Sequence, residues 1–464
     1  LGGMWLLHLV HQLAGLREND SLSGQPESLL FPWDAWSHHA GFVDSHQYRD
    51  QLKWLSGNYD AATLRKMPLE TLRFRPPAAS RLRHTAESVL QWNPWSNQKV
   101  LVCRPYLKSS RREQLAAIFR SKRLLEWNDL DLNIYSQNAA DLDLRLEISE
   151  RVSHSDPEAV IARLIPLTMP VAYGEALGDI RQEVLYGRQP PKLLYSANGN
   201  QMHLPFQIAS AFWSEEGTQV ASHQHGGHQG IDEVHAGEEY EVRSSDVHYT
   251  FGWSDNRPNV RPLVTAPPMG EKDPTSRRLV FMTLSHTSSI YRLQPFCIPD
   301  HVTAVQGETR KFFGQLNWPA EVVVRGGVLD LQNLGYSGDC QIDDFSIPGT
   351  ISASQSALTV HNYLGMSWLE TLAMDLPTVC FIPSGIHRFR AAAKPFAEAL
   401  IRVGVLHYSG LEAAKFVNAL RGDPTAWWRS AEVQEAREAF VARYANFSDN
   451  WLSAWTQEFE RLLS

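Results

Sequence analysis

The sequence predicts an α/β protein built from two βαβ domains and closed by helices, and three observations carry that prediction. Apolar runs of four or five residues, rich in β-branched and aromatic types, alternate with helical stretches, as parallel strands buried on both faces do. The alternation is interrupted between Asp255 and Pro274 by five prolines in twenty residues, then restarts. Beyond Gly410 it stops, and the chain reads as wholly helical, with Trp427, Trp428, Trp451 and Trp455 as large apolar anchors. The 464 residues exceed one ordinary core and suit two to three domains. The boundaries that follow are 1–260, 275–425 and 426–464.

The first 95 residues are punctuated by Pro32-Trp33 and Pro76-Pro77, with a helix over Asp60 to Lys66. Val100 to Cys103 reads as a buried strand, followed by an amphipathic helix from Ser110 to Ser121. Ser155-Asp156-Pro157-Glu158 opens a helical region that runs, broken at Pro166 and Pro170, towards Tyr186. Strands follow at Lys192–Ser196, Gln219–Ser222 and Val247–Trp253, with a helix over His203–Glu216 between the first two. After the proline-rich stretch, strands are predicted at Arg278–Leu284, Glu321–Arg325, Leu358–His361, Thr378–Ile382 and Val405–Tyr408. Helices fall at Thr303–Leu316, Ser367–Met374 and Arg388–Val403.

Composition narrows the functional classes. Lys and Arg total 43 against 51 Asp and Glu, a net charge of −8, which disfavours a general nucleic-acid binder. The four cysteines form no CxxC pair, so neither a disulfide framework nor a zinc knuckle is expected, and a reducing compartment is the default. No apolar run reaches the length of a membrane span. Met4 to Val10 lacks a basic leader and a cleavage site, which makes a poor signal peptide, and Leu1 in place of methionine suggests a native start further upstream.

The stretch Ser222-His223-Gln224-His225-Gly226-Gly227-His228-Gln229-Gly230 is the richest in chemistry. Glycines after a strand let the chain turn sharply and let a ligand approach the backbone, and histidine titrates nearest neutrality. His225 is the candidate general base; a His-rich surface loop is the plainer alternative. A metal reading competes: His223 and His225 lie two apart on a strand, with His228, Asp232, Glu233 or His235 as a third ligand. Gly230 and Ile231 stand where a cupin-like set needs glutamate, and no HExxH is present.

Four other clusters qualify. Glu238 and Glu241 share one face of a predicted helix, and with Asp246 they are the candidate carboxylates; a solvated acidic face is the alternative. Ser285 to Ser289, followed by Tyr291-Arg292, places hydroxyls and a cation after a strand, where Ser288 and Arg292 can hold phosphate. Arg325 ends a strand beside two glycines, which suits an anion or a structural ion pair. From His361 the chain reads strand, turn, helix: Ser367 can cap that helix, and Glu370 can accept from ribose hydroxyls or complete a capping box.

Together these segments resemble a family of transferases from bacterial O-antigen and surface-polysaccharide gene clusters. The matching residues are Gln224-His225-Gly226-Gly227 with Gly230, Glu238 with Glu241, Ser245-Asp246, and Thr250-Phe251-Gly252-Trp253. Gln229 stands where that family has an aromatic, and Phe251 where it has tryptophan. Tyr291-Arg292, Ser367 with Glu370, Pro377-Thr378 and Trp427-Trp428 extend the likeness, which covers about residues 190 to 460. The resemblance implies a GT-B-like fold, two Rossmann-like domains facing a cleft, and a metal-independent glycosyltransferase without cofactor. It implies a nucleotide-sugar donor and a glycan or lipid-linked glycan acceptor, in the cytoplasm or peripheral at the inner membrane face. His225, Glu238, Glu241 and Asp246 are then the catalytic candidates. Gln224, Gly226, Gly227, Ser288, Arg292, Arg325, His361, Ser367 and Glu370 are the binding candidates. The alternatives are a His-rich metal-dependent hydrolase and a non-catalytic glycan-assembly protein.

Overall fold

The computed structural model describes Leu9 and residues 25–33, 46–57, 60–72, 100–105, 107, 109–121, 125–126, 139–151, 157–185, 189–283, 299–326, 338, 340–343 and 345–464. Near the amino end a parallel pair, β1 (Leu29–Pro32) and β2 (Leu69–Leu72), packs with the helix His46–Gly57. The Gln51 side chain fixes that packing by accepting from Leu30 N–H at 2.6 Å and donating to Leu30 C=O at 3.0 Å.

The first large sheet contains β3 (Val100–Cys103), β4 (Leu125–Glu126), β5 (Leu193–Ser196), β6 (Gln219–His223), β7 (Val247–Thr250) and β8 (Val260–Pro262). Its order is β4-β3-β5-β6-β7-β8, parallel throughout. Strand periodicity divides the side chains between two layers. Leu101 and Cys103 join the core beneath the amino-terminal helices, whereas Val100 and Val102 pack against Trp451, Trp455 and Phe459.

The second sheet holds β9 (Leu279–Met282), β10 (Val322–Arg325), β11 (Cys340–Ile342), β12 (Leu358–His361), β13 (Thr378–Phe381) and β14 (Leu406–His407). Its order, β11-β10-β9-β12-β13-β14, reverses direction between β9 and β12. That is the Rossmann order, in which ligands sit beyond the strands' carboxyl ends at the reversal. Both sheets are therefore Rossmann-like, flanked by helices, and every strand pair between their members is parallel.

Two terminal helices join the halves. Ala431–Tyr444 packs on the second domain, with Trp368 and Phe440 rings 4.9 Å apart. Trp451–Leu463 crosses to the first sheet, where Trp455 lies edge-on to Tyr195 at 5.5 Å and donates its Nε1–H to Val264 C=O at 2.8 Å. Among the described residues no helix is long and apolar enough to cross a membrane.

Several elements depart from the sequence expectation. The Arg388–Val403 helix begins only at Lys394, with Pro395 in its first turn, because residues 388–390 are extended and bonded to the other domain. The helix from Pro157 passes through Pro166 and ends at Thr168, before Pro170. The proline-rich stretch contains β8, an edge strand, where Pro262 meets no second neighbour that needs its missing N–H.

Trp455 is fully buried, so Trp455→Ala should cost about 3–5 kcal/mol, read as a lower denaturation midpoint, and Trp455→Phe clearly less.

Candidate functional site

A cleft of about 620 Å³ lies where the carboxyl ends of the two sheets meet. The first domain lines it with Pro105 after β3, His223 to His228 at the end of β6, and Phe251 after β7; the second supplies Tyr363, Gly365, Ser367 and Glu370 after β12. The domains meet backbone to backbone here. A β-carbon on Gly227 would lie 2.4 Å from the Gly365 carbonyl carbon, so only glycine fits.

The turn is braced from below. Gln224 accepts from Phe251 N–H at 2.9 Å and from the Trp253 indole at 2.8 Å, and donates to Gly226 C=O at 2.7 Å. Gly230, at φ +78, lies against Trp253; a β-carbon there would come 2.4 Å from the indole. The glycine turn and the Thr250–Trp253 segment are thus one packed unit, which explains why the two motifs occur together.

His225 borders the cleft with its side chain 14% exposed, and its Nδ1 is 3.5 Å from Glu241 Oε1. Glu241 lies wholly buried behind it on the helix Ala236–Arg243, accepting from Gln201 at 2.9 Å and Gln229 at 2.7 Å. Burial pushes the Glu241 carboxyl well above its usual range, against the pull of those two amide donors. The pair is an imidazole that borders the cleft and, behind it, a carboxyl that desolvation inclines to keep its proton.

Glu238 has a different role from the one expected. It is buried, accepts from Gly230 N–H at 2.7 Å, and pairs with Arg390 at 2.7 Å and Arg257 at 3.0 Å. Those partners make it a clamp that ties the turn to the second domain, away from the cleft lining. Asp246 is also corrected: its carboxylate accepts from Val220 N–H at 2.7 Å, at the amino end of β7, the opposite end of the sheet from His225. Arg325 pairs with Asp343 at 2.7 Å and stacks over Phe345, so its ion pair is structural. His361 is fully buried beneath the cleft with Nε2 3.3 Å from Thr371 Oγ1, and it does not line the cavity.

Gln224, Gly226, Gly227, Ser367 and Glu370 do line it. Ser367 does not cap its helix as expected. The N-cap of Met366–Ala373 is Gly365, no side chain caps the turn, and Ser367 Oγ instead meets Tyr363 Oη at 2.6 Å. Ser288 and Arg292 fall outside the described residues.

The pairing of His223 and His225 on one ion, the competing reading of this stretch, is not formed. His223 Nδ1 is 2.9 Å from Tyr195 Oη, and burial lowers its pKa to about 3. Among the described residues, the one group whose ligand atoms are close enough for a metal is His228, Asp232 and His387. His387 and Arg390 were not legible beforehand: Arg390 falls in a stretch that reads as helix, His387 just before it, and both gain their meaning only from the segment opposite.

Two Rossmann-like domains that meet at such a cleft are the GT-B arrangement, and this is the class to which the architecture assigns the protein. The chain matches the family described as LIC12162 family transferase over residues 38–459, and it belongs to that family. Similar solved structures include MurG from Acinetobacter baumannii, at 9% identity over 78% of this chain and 99% of that one, TM-score 0.38. The glycosyltransferase SnogD from Streptomyces nogalater has 12% identity over 79% and 100%, TM-score 0.42. An α,α-trehalose-phosphate synthase (UDP-forming) from Burkholderia vietnamiensis has 11% identity over 79% and 100%, TM-score 0.41. Likeness at that level carries no inference about activity. No curated protein matches the chain.

The buried histidines make stability depend on pH. Burial lowers His223 and His361 from the ordinary 6.5 to about 3, and His248 well below 6.5. The unfolded chain therefore binds more protons than the folded one between about pH 6.5 and 3, and stability falls on acidification through that window. Glu241, with its raised value, acts in the opposite sense, but burial also lowers His228, to about 4, and His235, and these add to the three. The denaturation midpoint should drop steadily from pH 7 to 4, and His361→Leu should flatten the slope.

Proposed function

We propose that this protein is a glycosyltransferase that moves a sugar from a nucleotide-activated donor to a hydroxyl of a surface glycan or lipid-linked glycan. The observation that carries the reading is His225, on the first domain's side of the cleft, backed at 3.5 Å by buried Glu241 and facing the helix Met366–Ala373 of the second. The surface-glycan acceptor rests on the motif resemblance.

In this reading the His225 imidazole takes the proton of the acceptor hydroxyl as its oxygen attacks the anomeric carbon. The bond from that carbon to the diphosphate breaks, and the leaving group carries away the electron pair. Glu241, 3.5 Å from the ring's Nδ1, holds the imidazole in place for that transfer. The first-turn N–H groups of Met366–Ala373, not tied to a side-chain cap, point their positive end at the departing diphosphate in place of a metal. Glu370, one turn on, accepts from the ribose hydroxyls.

Nucleoside diphosphates and nucleotide sugars should raise the unfolding temperature of the wild type, with and without chelator. His225→Ala should retain that binding and lose about 10²–10⁴-fold in transfer turnover. Full turnover in the variant would remove His225 from the mechanism.

A further inference from the structure

We propose that His228, Asp232 and His387 bind a single transition-metal ion of the zinc class, which fastens the two domains together behind the cleft wall. The inference goes beyond the glycosyl-transfer reading and does not depend on it. His228 and Asp232 lie one turn apart after β6, where Asp232 N–H donates to His228 C=O at 3.1 Å, and His387 comes from the segment after β13. His228 Nδ1 is 2.9 Å from Asp232 Oδ2, and His387 Nδ1 is 3.4 Å from Asp232 Oδ1. All the ligand atoms fall within 4.8 Å of one another.

Ligands bonded to zinc at about 2.1 Å in a tetrahedron stand roughly 3.4 Å apart, so these three need only small rotations to receive the ion. Two imidazoles and a carboxylate favour zinc or its neighbours over magnesium or calcium, which prefer all-oxygen shells. The side chains are only 2%, 1% and 1% exposed, and the two rings are stacked 5.5 Å apart at 10°, an arrangement already ordered. His228 also borders the cleft, which gives an entry route and room for a fourth, water ligand.

The groups around the cluster fit a single added ion. His235 turns its Nδ1 away, accepting from Glu238 N–H at 2.9 Å. Arg390 donates to Asp232 C=O at 2.7 Å, with its charge met by Glu238 at 2.7 Å. The same segments already exchange backbone hydrogen bonds, Glu233 N–H to Arg388 C=O at 2.7 Å and Arg390 N–H to Ile231 C=O at 2.9 Å. An ion at the end of this bridge would stiffen the junction three residues from His225 while touching no reacting atom. The competing arrangement is a hydrogen-bonded triad, with Asp232 accepting from both Nδ1–H groups.

The test uses full-length untagged protein, stripped with chelator, incubated with zinc chloride and dialysed against metal-free buffer. About one zinc per chain is expected, with a higher unfolding temperature than the stripped form. Asp232→Asn, His387→Gln and His228→Gln should each weaken binding at least about ten-fold, whereas His225→Ala should keep the full equivalent. Hydrogen exchange on the wild type needs no variant: zinc should slow exchange at residues 228–233 and 383–390 together. Sub-stoichiometric metal, zinc retained by the ligand variants, or unchanged exchange in both segments would leave the hydrogen-bonded triad as the correct description.

Discussion

The constraint on which this molecule depends is the contact between Gly227 and Gly365, where the main chains of two domains meet with no space for a side chain. Each glycine follows the carboxyl end of a central parallel strand, β6 in one sheet and β12 in the other. Because both sheets are parallel, the loops at these ends carry the outward-facing backbone groups and the variable side chains. Bringing the two ends together places the His225 imidazole from one domain opposite a helix N-terminus from the other. A bulkier residue at position 227 would push the domains apart, and the cleft would lose one wall.

Polar groups around that contact divide into those that hold and those that face solvent. Glu238, Arg257 and Arg390 spend their hydrogen bonds on backbone or on neighbouring side chains, and a buried charge so paired is fixed in place. Gln224, His225, Ser367 and Glu370 border the cavity, Gln224 with its amide committed to bracing the turn. The distinction explains why one carboxylate of the Glu238–Glu241 pair clamps the domains while the other, a single helical turn away, stands behind the histidine. Both share a buried face, and what differs is the group opposite: two guanidinium groups for Glu238, an imidazole and two amides for Glu241.

The carboxyl-terminal helices make the two domains one unit. Trp368 and Phe440 anchor Ala431–Tyr444 to the second domain, and Trp455 with Phe459 seats the last helix under the first sheet. The chain passes between the domains more than once, so their relative position is held by covalent continuity as well as by the Asp232–Arg390 junction.

The strands were the most legible part of the sequence. Leu358–His361, Val100–Cys103 and Thr378–Phe381 stand out as compact β-branched or aromatic runs because a strand buried on both faces has no polar positions to blur it. The glycine-histidine turn was legible for a related reason, since it follows such a run and glycine there has a steric cause. The proline-rich stretch hid an edge strand, and residues 388–390 were read as helix, because local composition does not report a partner supplied from elsewhere.

The sequence by itself determined the alternation of strands and helices and the helical end. Only the tertiary structure decided which polar side chains serve the cleft. Asp246 and Arg325 carry the right charge but bond to backbone or to a neighbour at the wrong place, whereas His387 and Arg390 had no sequence signature and lie at the domain junction. Charge and spacing are local properties, but what a buried charge does depends on the partner that packing brings to it.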